Sequence, residues 1–123
     1  MKLSKILLGI SVVLLIMTAC TTSVIANFEV ANHTAFDIDS LKIEPNISEI
    51  GKFISLKKNK KAAYKSDMTT IAKTDGAYQI SFLINGKKKT QIFGYFSNGY
   101  PSEIITKIEI EKDTILINQV FEE

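Results

Sequence analysis

The chain has 123 residues, with 15 lysines, no arginine, 13 acids, one cysteine and one histidine, for a formal net charge of +2. The missing arginine removes the planar bidentate donor used to read guanine and phosphate, which argues against nucleic acid as a partner. A single cysteine excludes an internal disulfide. A single histidine leaves little from which to build a metal centre or a nucleophile and base pair.

The first element is an export signal. Lys2 and Lys5 make a positive start, and Ile6 to Met17 is aliphatic apart from Gly9 and Ser11. Met17-Thr18-Ala19-Cys20 then resembles the lipobox of bacterial lipoproteins, with small Ala19 before the cysteine and Met17 where that family usually has Leu. The resemblance covers only the first 20 residues. It implies a signal peptide over 1–19, lipid attachment at Cys20 and membrane association through acyl chains, not through a spanning segment. In that family an aspartate after the cysteine commonly retains the protein in an inner membrane. Here Thr21-Thr22-Ser23 follows, which implies outer-membrane attachment facing the periplasm in a cell with two membranes.

Two other readings of this segment exist. Val24-Ile25-Ala26 offers a secretory cleavage point after Ala26. An uncleaved anchor would use the uncharged stretch from Ile6 to Phe28, but Thr18, Thr21, Thr22 and Ser23 make its far half polar. The division expected is a helical signal over 1–19, a short tether over 20–26 and a single domain over 27–123.

From Asn27 onward the apolar residues recur with period two and are mostly Ile, Val, Phe and Tyr, which predicts strands. Phe28 and Val30 alternate with Glu29, and Asn32-His33-Thr34 is a turn. Phe36 and Ile38 are out of phase with Leu41 and Ile43, so a bulge at Asp39-Ser40 is needed to keep all four on one face. Pro45-Asn46 ends that strand. Phe53 to Leu56 forms the next, and the basic run Lys57 to Lys61 caps a hairpin returning through Ala62, Ala63 and Tyr64. Met68 to Ile71 adds a short strand, and Asp75-Gly76 turns the chain.

Tyr78, Ile80, Phe82 and Ile84 share one face and lead into Asn85-Gly86. A two-residue loop there sets Phe82 opposite Lys89 and Ile80 opposite Gln91, which wastes an apolar face. A three-residue loop with a bulge at Gly86 is the expected alternative. The last hairpin runs from Ile104 through Ile108 and Ile110, turns near Lys112-Asp113 and returns from Thr114 to Phe121. About seven or eight short strands with regular turns predict an all-β antiparallel sandwich, immunoglobulin-like with Greek-key connections, or else a small open barrel.

No chemistry-bearing constellation stands out. His33 lies in a turn, and Asp37 and Asp39 lack the glycine and later glutamate of a calcium loop. Neither a catalytic set, a metal site nor a cofactor is expected. The unusual segment is Phe93 to Pro101, which holds four of the eleven aromatic residues. It is either core that pins a loop or a ring-lined patch for a protein or glycan, with Tyr95, Phe96 and Tyr100 as the candidate contact residues. The lysine-rich loops at 57–61 and 87–89 are solvated hairpin tips, or else contacts to anionic head groups. The expected function is a lipid-anchored, non-catalytic binding or accessory protein of the cell envelope. An immunity or inhibitor lipoprotein that blocks a toxin or lytic enzyme is the alternative.

Overall fold

The computed structural model describes residues 22–123. Cys20, the signal peptide and the helix expected for it lie outside the described residues. Nine strands follow: β1 (Ile25–Asn32), β2 (Ile38–Pro45), β3 (Ile54–Leu56), β4 (Lys61–Asp67), β5 (Gly76–Ile84), β6 (Lys87–Ser97), β7 (Tyr100–Pro101), β8 (Ile105–Ile110) and β9 (Ile115–Val120). They form a four-stranded sheet in the order β4-β1-β8-β9 and a five-stranded sheet in the order β3-β2-β5-β6-β7. No helix occurs among the described residues. Every pairing is antiparallel except β1 with β8, which is parallel. The fold is therefore an all-β, two-sheet one, as the alternation predicts.

β1 shows why. Val24, Ala26, Phe28 and Val30 point inward at every second position and are buried, while the residues between them are partly exposed. Phe28 stands edge-on to Tyr78 and Phe93, with ring centroids 5.2 and 5.9 Å away, and so locks the two sheets together. The domain also starts earlier than the expected boundary at Asn27. The Met68 amide donates to the Val24 carbonyl at 2.7 Å, and the Val24 amide donates to Thr69 Oγ1 at 3.0 Å. Ile25 and Ala26 thus belong to β1, and Val24 is buried just before it.

The bulge in β2 is present. Ser40 takes φ 50°, the register shifts between Asp39 and Lys42, and Ile38, Leu41 and Ile43 all face the core. Phe36 does not join them; it precedes β2 in the turn and is 49% exposed.

Three expectations are corrected. The basic run 57–61 does not cap a hairpin, because β3 pairs with β2 and β4 pairs with β1, in different sheets. The run is a crossover held to β1 by Asn59 N–H on Asn32 O and by Asn32 N–H on Lys60 O, both 2.9 Å. Met68 to Ile71 is a turn and not a strand. The Asp67 carboxylate accepts from both the amide and the hydroxyl of Thr69, at 3.0 and 2.6 Å, and bends the backbone out of the sheet while Met68 and Ile71 stay buried.

The third correction is the β5–β6 register. Ile84 pairs with Lys87, Phe82 with Lys89 and Ile80 with Gln91, around a two-residue loop whose Asn85 and Gly86 have φ 49° and 72°. The left-handed preference of Asn-Gly decides the turn and leaves polar residues opposite an apolar strand. The extra residue appears at Gly94 instead, at φ 66°, where Tyr78 pairs with Phe93 and Gly76 with Phe96. A second loop of the same kind, Asn98-Gly99 at φ 51° and 74°, joins β6 to β7. The β8–β9 hairpin forms as expected, closed by Glu111 N–H on Thr114 O, although Ile104 precedes it and is exposed.

Candidate functional site

The hydrogen bonds divide the molecule into two poles. At the near pole, where β1 begins, lie the 68–75 turn tied to Val24, Ile104 tied to Val120, and the 97–99 loop tied to Thr74. At the far pole, where β1 ends, Asn32 meets the 57–60 crossover, and the 33–37 turn, the Asn85-Gly86 loop and the β8–β9 turn gather around it. The far pole carries Lys57, Lys58, Lys60, Lys61, Lys87, Lys88, Lys89 and Lys112 against Asp37, Glu109, Glu111 and Asp113. The near pole carries Glu49, Asp67, Asp75, Glu103, Glu122 and Glu123 against Lys52 and Lys73. The charge is near balance overall, with an excess of lysines at the far pole and an excess of acids at the near pole.

The aromatic segment splits between two roles. Phe96 is fully buried on Tyr78, so it is not a contact residue; the Gly94 bulge turns both Phe93 and Phe96 inward. Tyr95 is 51% exposed, but its hydroxyl donates to Asp75 Oδ2 at 2.8 Å. The same carboxylate accepts from the Asn98 amide at 2.9 Å and from Ser97 Oγ at 3.3 Å. These donors, led by the Asn98 amide, hold Asp75 below its ordinary carboxylate range, and Asp75 in turn raises the Tyr95 hydroxyl. Tyr95 is thus a latch for the 97–100 loop. Tyr100 is half exposed with the Lys73 ammonium 4.7 Å above its ring. Both tyrosines sit at the near pole.

The far pole holds a concavity that the residue pattern did not announce. Its larger lobe, about 400 Å³, is lined by Phe36, Ile84, Asn85, Lys87, Lys89 and Lys112, with the 33–35 turn as its wall. A smaller lobe of about 230 Å³ shares Ile84, Lys89 and Lys112 and continues to Phe82, Ile110 and Ile115. In the β5–β6 register Lys89 and Gln91 stand opposite Phe82 and Ile80 at its edge, and the exposed Lys89 does not close it over. The wall is rigid. Asn32, fully buried, donates through Nδ2 to Phe36 O at 2.8 Å and to Leu56 O at 3.1 Å, and accepts from the Thr34 amide and hydroxyl at 3.0 and 2.7 Å. The Thr34 hydroxyl also meets the Phe36 backbone, with 3.0 Å to O and 3.3 Å to N. A buried polar network therefore presents an exposed phenyl ring. The only sign of this cleft in the sequence is the pairing of Phe82 with Lys89, the register that a pattern argument rejects.

His33 lies beside the cleft, with Nδ1 2.8 Å from Glu111 Oε1, and the ligand atoms of His33, Glu109 and Glu111 lie within 4.8 Å of one another. The imidazole is already engaged by the Glu111 carboxylate, so the arrangement reads as a hydrogen-bonded pair supporting the turn. Among the described residues, no helix is long and apolar enough to cross a membrane. A scan against protein-family models found no match to this chain, and neither did a search of curated proteins.

Proposed function

We propose that the protein is a lipid-anchored, non-catalytic binding module of the cell envelope, tethered through Cys20. The observation that supports this most is the start of the fold at Val24. Only Thr21, Thr22 and Ser23 separate Cys20 from the first core residue. Cutting before Cys20 leaves the sandwich whole, whereas cutting after Ala26 removes Val24 and Ala26 from the core together with the Ile25–Asp67 and Ala26–Ser66 pairs. The lipobox resemblance and the fold boundary thus favour the same processing point.

The anchor has a geometric consequence. From Cys20 to Val24 the chain reaches about 14 Å when fully extended, less than the about 26 Å spanned by the eight residues of β1. The near pole then rests toward the bilayer, where exposed Tyr100, Ile104 and Phe121 suit an interface, and the basic far pole with its cleft faces away. The lysine loops on this reading do not serve the protein's own membrane. Outer-membrane attachment facing the periplasm is the corresponding location in a cell with two membranes.

Fractionation tests this reading. The native chain is expected in the membrane fraction, released only by detergent, and a chain processed to begin at Cys20 but left without acyl groups is expected in the soluble fraction. Wild-type protein recovered in the soluble fraction would contradict the anchor.

A further inference from the structure

We propose that the far-pole cleft binds a single-chain amphiphilic anion, with its apolar body against Phe36 and Ile84 and its acidic head among Lys87, Lys89 and Lys112. This names a ligand class for the binding module above, and it rests on that reading only for the direction in which the cleft faces. Three features carry it.

The first is shape and lining. A concavity of about 400 Å³ with an apolar floor and a few charged groups at its mouth has the size and character of a small-molecule site. A flat basic patch for a long polyanion would need no such hollow. The second is preorganisation. Phe36 is an exposed residue whose backbone carbonyl is held by Asn32 and Thr34, both buried, so the turn that carries its ring is set before anything binds. The same asparagine ties that turn to the Leu56 carbonyl. The third is charge. Three lysines line the larger lobe, whose lining holds no acid. Asp113 and Glu111 line only the smaller lobe, and Glu111 is paired with His33. The head group therefore belongs at the Lys87 side and the tail extends along Ile84 toward Phe82. A carboxylate or phosphate monoester head satisfies the lysines; a neutral head leaves their charge uncompensated.

The test is photo-crosslinking of the full chain in phosphatidylcholine nanodiscs with a dodecanoate carrying a diazirine on its tail, mapped by peptide mass spectrometry. Adducts are expected on the peptides containing Phe36 and Ile84. The alcohol of the same chain length is expected to label them about tenfold less. Lys87→Glu combined with Lys112→Glu, two exposed positions, is expected to reduce labelling by a similar factor with an unchanged circular dichroism spectrum. Phe36→Ser is a second probe that leaves the lysines in place. Equal labelling by acid and alcohol, adducts spread over the surface, or indifference to the charge reversal would overturn the proposal. Protection by polyphosphate but not by unlabelled dodecanoate would also overturn it and hand the surface to a polyanion. The Cys20→Ala chain is expected to give the same adduct map, so loss of acylation and loss of cleft binding are separate results.

Discussion

Asp75 organises more of the near pole than any other exposed side chain. It accepts from the Asn98 amide, the Tyr95 hydroxyl and the Ser97 hydroxyl, and all three favour the ionised form. Its folded value lies below the ordinary 3.8, so its contribution is complete above that pH and is lost as the pH falls through the lowered value. Protection of the Asn98 amide from hydrogen exchange is expected to hold at neutral pH and to fall on acidification below 3.8. In Asp75→Asn that protection is expected to be low throughout and to lose this pH response; an unchanged profile would show that the loop is held by other contacts. Much at this scale was legible in the sequence. The crowding of rings at 93–100 marked a special segment, and the opposite parity of Phe93 and Phe96 leaves rings on both faces of a regular strand unless Gly94 is a bulge. Which tyrosines face out could not be read, because Tyr95 and Asp75 meet only after β5 and β6 pair.

Among the elements, the period-two pattern was a good guide wherever one strand face meets the core. β1 follows it position by position, and the phase slip in β2 locates the bulge at Ser40. The pattern misled at Asn85-Gly86. There a local preference for left-handed backbone opposes the hydrophobic register, and the turn prevails because the misfit residues, Lys89 and Gln91, sit at an open mouth and not in the closed core. The β3–β4 error has another origin. Sheet membership is decided by long-range pairing with β2 and β1, to which a short local window is blind. The cleft was illegible for the same reason, since its walls come from three turns distant in sequence. If the register was kept for the cleft, then Lys89→Ile should put an apolar side chain against Phe82 in place of a solvated one. It is expected to raise stability in urea denaturation by up to about 1 kcal/mol while weakening dodecanoate labelling. Lower stability with intact labelling would mean that Lys89 is structural and the space is not available to an apolar side chain.

For the whole molecule, an acidic near pole beside the expected anchor and a basic far pole opposite it make an oriented object. The start of the core at Val24 ties that orientation to the processing site. A soluble form beginning at Asn27 is expected to be less stable than one beginning at Thr21 by about 3 kcal/mol, from the lost burial of Val24 and Ala26, the Val24 bonds to the Met68 amide and the Thr69 hydroxyl, and the Ile25–Asp67 and Ala26–Ser66 pairs. Equal denaturation midpoints would remove the argument that the fold needs these residues. The most direct measurement is the intact mass of the protein extracted from membranes. A chain beginning at Cys20 and heavier by a diacylglyceryl group, with or without a further acyl chain, is the result predicted. An unmodified chain beginning at Asn27, or one retaining Met1 with an unaltered cysteine, would contradict it.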